Sequence, residues 1–240
     1  MTLGIPRHDP TRYVMLIASL PHHGRLFAAK QTPLSRTRLE RRLRMMHAED
    51  RALLDAVESV VAWHGLPGDA TDADVVQRGQ EVLDSLAAAG LDTLWTALRN
   101  RLELRTLVAA LRRRHRGAPP PGPDEVWGIG RFLRRIRENW ETRDFGLGVP
   151  FPWVGQAQDH LDNDEPLALQ KLLIGRAWQD LGRLSLGHDF DVTAVIIYVL
   201  RWEIIDRWTR LDGAAAQQRF DALLAQGMGD WGAVFERDAA

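Results

Sequence analysis

Residues 191–211 read DVTAVIIYVLRWEIIDRWTRL, and this stretch decides the fold. One apolar stripe at helical spacing runs through Ile197, Leu200, Ile204, Trp208 and Leu211, and a second through Val192, Val195, Ile196, Val199 and Trp202. A helix apolar on two faces is packed on both, which predicts the centre of a C-terminal helical bundle. The longest uninterrupted apolar run, Val192 to Leu200, stops at Arg201. That is well short of the ~20 residues a bilayer span requires.

Working outward, Gly187 to Asp191 is a turn, and Pro166 opens a helix through Leu186, proline being suited to a first helical turn. On the other side, Phe220, Leu223 and Leu224 predict a last amphipathic helix before Gly227-Met228-Gly229. Upstream, Gly117-Ala118-Pro119-Pro120-Pro121-Gly122-Pro123 can be neither helix interior nor central strand. Asp124 should cap a helix holding Val126, Trp127, Ile129, Phe132, Leu133 and Ile136 and fading near Trp140. A loop through Asp144-Phe145-Gly146-Leu147-Gly148, Pro150 and Pro152 follows.

In the first half, Ser35 should cap one helix running through Leu39, Leu43, Met46, Leu53, Leu54, Val57, Val60 and Val61 to Trp63. Asp72 or Asp74 should cap a second helix ending at Gly90, and a third runs from Asp92 to Gly117. Tyr13 to Leu20 (YVMLIASL) is apolar, β-prone and closed by Pro21, which predicts a short buried strand. The expected fold is therefore mainly α: a multi-helix bundle in two lobes with one short N-terminal strand. The first lobe covers 1–117, the Pro/Gly linker 118–123, and the second lobe 124–240.

With 31 Lys and Arg against 32 Asp and Glu, the 240-residue chain has a net charge of −1, so composition alone indicates no polyanionic or polycationic partner. The absence of cysteine excludes disulfides, a thiolate nucleophile, Cys-based zinc sites and iron–sulfur clusters, and fits a reducing cytoplasm. The Tyr13–Leu20 run is too short for a secretory signal and lacks a small-residue cleavage site.

Catalytic motifs are missing. Gly128-Ile129-Gly130 lies in a helical pattern without the preceding strand and third glycine of a phosphate loop. Ser185 stands between Leu184 and Leu186, not in a GxSxG elbow. His188, Asp189 and Asp191 could hold a divalent metal for hydrolysis, yet an aspartate before a helix serves more simply as its cap. The run Asp159-His160-Leu161-Asp162-Asn163-Asp164-Glu165 lacks the glycine and distal glutamate of a calcium loop and reads as a helix-to-helix turn. No cofactor is called for.

Charge and aromatic patterning point instead to an interaction surface. Between Arg99 and Arg137 eleven arginines face three acids, Glu103, Asp124 and Glu125. Such a patch suits an acidic protein surface; with no zinc finger or RNA-binding aromatic motif, nucleic acid is not the expected partner, and a nucleic-acid-binding helical module stays only an alternative. Trp140 and Trp153 flank the Gly/Pro loop and are expected to be exposed enough to anchor a partner. The expected interface is Arg112, Arg113, Arg114, Arg134, Arg135, Trp140, Phe145 and Trp153, the arginines steering and the aromatics anchoring.

Three blocks carry a family resemblance. They are Tyr13 to Pro21, Asp144 to Leu147, and Phe190-Asp191-Val192 with Val195, Tyr198, Leu200, Ile204, Arg207, Trp208, Leu211 and Asp212. In this order they resemble an uncharacterised bacterial family encoded inside V-type (A/V-type) ATPase gene clusters. Leu102 to Arg112 is also similar to helices of the central-stalk socket subunit, with Thr106 where an Asn commonly precedes the leucine. The resemblance implies a non-catalytic subunit or assembly factor coupling the soluble part of a rotary ATPase to its membrane part. Its partners would be rotor or membrane-ring subunits, and its place the cytoplasmic face of the membrane, reached only through that complex. The family has no established activity, so no catalytic residue is carried over; a metal-dependent hydrolase at His188, Asp189 and Asp191 is the rival class.

Overall fold

The computed structural model describes residues 9–61 and 71–212. The predicted helix around Phe220 therefore lies outside the described residues, as does Trp63. The chain is mainly helical, and its elements are α1 (Val14–Ser19), α2 (Arg36–Leu43), α3 (Ala48–Val61), α4 (Asp72–Ala88), α5 (Asp92–His115), α6 (Leu133–Glu138), α7 (Trp153–Asp162) and α8 (Pro166–Leu184). A further helix, α9, occupies 192–212.

Helix α9 behaves as its two stripes require. Val195, Ile196, Val199 and Ile205 are fully buried and Trp202 and Trp208 nearly so. The Trp202 indole N–H donates to the Leu34 carbonyl at 2.9 Å, satisfying its one buried polar atom. Asp191 caps the helix, one carboxylate oxygen accepting the Ala194 N–H at 2.8 Å. Other local signals are realised as well: Ser35 accepts the Arg38 N–H at the start of α2, and Pro166 occupies the first turn of α8. The start of α4 is shifted by one residue, because Thr71 is the cap and Asp74 completes a reciprocal capping box with it.

The predicted N-terminal strand is a helix. Among the described residues there is no strand for Tyr13–Leu20 to pair with. A lone strand in this position would leave backbone groups unpaired. The helix closes them locally, through Ile17 N–H to Tyr13 O at 2.9 Å and Leu20 N–H to Ile17 O at 3.0 Å. Only Leu16 of α1 is fully buried, and Met15 is left 79% exposed.

The single helix expected from Ser35 to Trp63 is broken at residues 44–47. Leu39 and Leu43 before the break, Met46 within it, and Leu53 and Leu54 after it face the same core. The apolar period thus reads straight through the turn. Beyond it, the buried Asp50 carboxylate accepts the Tyr13 hydroxyl at 2.5 Å and lies 3.1 Å from the Arg12 guanidinium. The His47 N–H also donates to the Tyr13 oxygen, so α1 is pinned to the start of α3.

The helix expected from Asp124 is confined to α6. Residues 128–130 instead lie along α5. The Thr106 hydroxyl donates to Ile129 O and accepts Ile129 N–H, both at 2.9 Å, and Glu103 takes two bonds from the Arg131 guanidinium and one from its backbone N–H. Ile129 rests on Gly79 of α4, where a Cβ would meet it at 2.5 Å. A Cβ on Gly128 would stand 2.5 Å from the Thr106 methyl. Gly128→Ala is expected to lower stability by about 2 kcal/mol in denaturant unfolding. Thr106→Ser, which removes that methyl, should recover part of the loss; an unchanged midpoint for Gly128→Ala would mean that the loop does not press on α5.

The buried apolar side chains form two clusters. The first joins residues from Tyr13 to Leu102 with residues from Ile174 to Trp208; the second is built from residues between Leu104 and Leu173. Both draw on residues from either side of 118–123. Helices α5 and α8 run through both, Leu98 and Leu107 on α5 and Ile174 and Leu173 on α8 facing different clusters.

Candidate functional site

The residues expected at an interface divide sharply. Arg112 and Arg135 are exposed, and Arg134 is an exposed partner of Glu138 at 2.6 Å. Arg113 pairs with Glu125 and donates to the Pro119 carbonyl at 3.0 Å. Arg114 is built into the fold: it donates to the carbonyls of Trp140 (2.8 Å), Thr142 (2.5 Å) and Arg143 (2.7 Å) and to Gln158 Oε1 (2.7 Å). Its guanidinium also lies 4.2 Å from the centre of the Phe145 ring.

The expectation that Trp140 and Trp153 are exposed is overturned. Trp140 is 5% exposed, Trp153 6% and Phe145 0%. Two consecutive left-handed residues, Phe145 (φ 54°) and Gly146 (φ 66°), fold the loop inward. Asp144 holds the turn by accepting the Gly146 N–H at 2.9 Å, and Phe145 packs on Trp140 with ring centroids 5.4 Å apart. The Gly/Pro content made this segment read as a surface loop, while its aromatics close the second core. The neighbouring α7 was not expected; its signal was the helical spacing of Trp153, Val154 and Ala157, all buried.

Neither acidic cluster gathers. His188 has one ring nitrogen on Asp191 (2.5 Å) and the other on the Thr93 hydroxyl (3.0 Å), while Asp189 is exposed. In the 159–165 run, Asp159 pairs with Arg143, His160 with Glu165 and Asp162 with Gln158. Among the described residues no three His, Asp or Glu side chains are grouped so as to hold a metal ion.

What the helices do assemble is a cleft of about 530 Å³, counted with its opening, where α3, α5, α8 and α9 meet. Helix α5 contributes Ala97, Asn100, Arg101 and Leu104; α8 contributes Ala177, Asp180, Leu181 and Leu184; α9 contributes Leu200, Glu203 and Ile204. Each set has the spacing of one helix face. Val61, at the end of α3, completes the wall. The enclosed part of it is about 40 Å³, room for a few water molecules, under a mostly apolar lining with a few polar groups.

Asp180 stands between Arg183 (2.6 Å) and Arg176 (3.3 Å). Glu203 lies 4.0 Å from Arg36, which is bonded to Glu58 at 2.8 Å and to Glu40 at 2.5 Å. Burial, reinforced by the neighbouring Glu58 carboxylate, pushes the Glu203 carboxyl up to about 8, against the pull of Arg36 and Arg101. Burial and the nearby Arg207 hold the Arg101 guanidinium below its ordinary value. Sequence reasoning did not find this cleft; the available signal was Glu203, an acid between Trp202 and Ile204 in a helix packed on both sides.

The Glu203 shift fixes the sign of a pH effect. The folded chain keeps a proton that the unfolded chain gives up at the ordinary carboxylate value of 4.5, so stability falls as pH rises from there through about 8. Glu203→Gln keeps the neutral form and should remove that fall. The melting temperature of the parent is expected to drop between pH 6 and pH 9 by a few degrees more than that of the variant. Parallel melting curves would show that Glu203 is ionised in the fold.

Comparison of the chain with protein-family models, with curated proteins and with solved structures gave no match.

Proposed function

We propose that this chain is a non-catalytic subunit or assembly factor of a V-type rotary ATPase, adapting its soluble part to its membrane part. What supports the reading is the work done by the residues that carry the family resemblance. The first and third blocks are bonded to each other: Tyr13 N–H donates to the Phe190 carbonyl at 2.6 Å, and the Tyr198 hydroxyl to the Pro21 carbonyl at 2.8 Å. The second block, with Phe145 and Leu147 fully buried, closes the other core. These residues serve packing, which suits a protein whose task is to present a rigid helical surface. Among the described residues, no helix is long and apolar enough to cross a membrane, so contact with the membrane part would run through its protein subunits.

The test is purification of the tagged full chain from the membranes of its own cells in mild detergent. Rotary ATPase subunits should accompany it in fixed ratio, and their absence would dismiss the proposal. The exposed cations Arg112, Arg134 and Arg135 are the ones to probe. Reversing all three to glutamate is expected to reduce subunit recovery about tenfold, with stability changed by no more than about 0.5 kcal/mol per site. Full recovery would exclude these three arginines from the contact.

A further inference from the structure

We propose that Thr93, His188 and Asp191 form a hydroxyl–imidazole–carboxylate relay that hydrolyses small neutral carboxylic esters through an acyl group carried on Thr93. Two loops bring the three together, although Thr93 and His188 stand 95 residues apart in the chain. Gly90, at φ 68°, turns the chain into α5, whose second residue is Thr93; Gly187, at φ 85°, turns it after α8 and is followed by His188. The order of the bonds is that of an activated nucleophile. His188 Nδ1 lies 2.5 Å from one Asp191 carboxylate oxygen, and Nε2 lies 3.0 Å from Thr93 Oγ1. An ionised carboxylate only accepts, so in the neutral imidazole the proton sits on Nδ1 and the Nε2 lone pair takes the Thr93 hydroxyl. Asp191 is itself held, its second oxygen accepting the Ala194 N–H at 2.8 Å.

Thr93 Oγ1 bonds to the ester carbonyl carbon as its proton passes to His188 Nε2, and the carbonyl electron pair moves onto oxygen. Collapse of this intermediate breaks the bond to the leaving alcohol, which departs with the Nε2 proton. A water then gives a proton to the same nitrogen and attacks the acyl group, releasing the carboxylic acid and restoring the Thr93 hydroxyl. Asp191 stays ionised and stabilises the imidazolium formed in each half. The oxyanion has donors in the amides of Thr93 and Leu94, which belong to the first turn of α5, where N–H groups lack an intrahelical acceptor and Leu91 supplies no side-chain cap. The site is open to solvent, the His188 side chain being 25% exposed and that of Asp191 17%. Asp92 and Asp189, exposed beside Thr93 and His188 in the chain, weigh against an anionic substrate, while the exposed Leu186 and Phe190 of the same turn suit a short acyl group. The inference does not rest on the ATPase reading, since a subunit that takes no part in ATP hydrolysis can carry this site.

The experiment exposes the full chain to p-nitrophenyl acetate and, separately, to a fluorophosphonate, which transfers its phosphonyl group to an activated hydroxyl with loss of fluoride. Peptide mass spectrometry then locates the adduct, a reading that needs no variant to fold. The parent is expected to carry both adducts on Thr93. Thr93→Val should remove them, and Thr93→Ser, which returns a hydroxyl, should restore them. His188→Gln and Asp191→Asn should each slow labelling about a hundredfold. Asparagine caps a helix as well as aspartate does, so the melting temperature of Asp191→Asn should move by only a few degrees. A link that merely ties the two loops together predicts no adduct on Thr93. That result, or labelling of Thr93 at the parental rate in both His188→Gln and Asp191→Asn, would overturn the proposal. Recovery of rotary ATPase subunits is a separate readout, so either proposal can fail alone.

Discussion

Asp50→Ala is expected to unfold at a temperature about 10 °C below the parent, the loss of about 3–5 kcal/mol that follows when one member of a buried charged pair is removed. The Asp50 side chain is fully buried and the Arg12 side chain 3% exposed. Tyr13 lies between them, its hydroxyl donating to Asp50 and receiving the His47 N–H. Without the carboxylate, Arg12 retains Glu49 at 2.9 Å, an acid whose own side chain is 59% exposed. Burial pushes the Tyr13 hydroxyl above its ordinary pKa, so near neutral pH the phenol does not supply the missing charge. Tyr13→Phe should lose only about 1–2 kcal/mol, since it removes a hydrogen bond and leaves the ion pair. Thermal unfolding of the two variants gives the order directly. A milder effect for Asp50→Ala than for Tyr13→Phe would mean that the phenol, not the charge, pins α1.

Arg114→Met should cost about 3 kcal/mol, whereas Arg112→Met two residues earlier should change stability by less than about 0.5 kcal/mol. The contrast follows from geometry. Arg114 gathers three carbonyls of the 140–143 turn and Gln158 of α7 around one planar group, and covers the Phe145 ring with its face. Arg114→Lys should recover little, because a single ammonium cannot serve four acceptors spread around a fork. Near-ultraviolet circular dichroism, which reports on Trp140 and Trp153 in their packed setting, should weaken in both Arg114 variants. Parental stability in Arg114→Met would show that the turn holds itself. Reversing Arg112, Arg113 and Arg114 together would accordingly damage the fold, so binding tests belong at Arg112, Arg134 and Arg135.

The parts of the fold legible in the sequence are those fixed by local chemistry. The double stripe of α9, the cap at Asp191, the proline opening α8 and the Ser35 cap are all decided within a few residues. What escaped reading depends on a distant partner. Residues 128–131 leave a helical pattern because Thr106 binds the backbone of Ile129 and Glu103 that of Arg131, and neither can be paired with them from spacing alone. The turn at 44–47 is hidden because both flanking helices bury one continuous stripe. The β-prone run of α1 becomes helical for want of a partner strand. The cleft is hardest of all: α5, α8 and α9 each contribute an ordinary helix face, and only their adjacency turns three faces into a wall.

The two interiors also differ in when they become available. Residues 104–173, which make up the second, are contiguous, so all of them have left the ribosome while the first still lacks Ile174 through Trp208. At that moment the first half of α5 and the helices before it expose apolar surface with no α9 to cover it. Synthesis therefore passes through a stage in which one nucleus can close while the other waits for residues 174–208, a window in which a chaperone has something definite to hold.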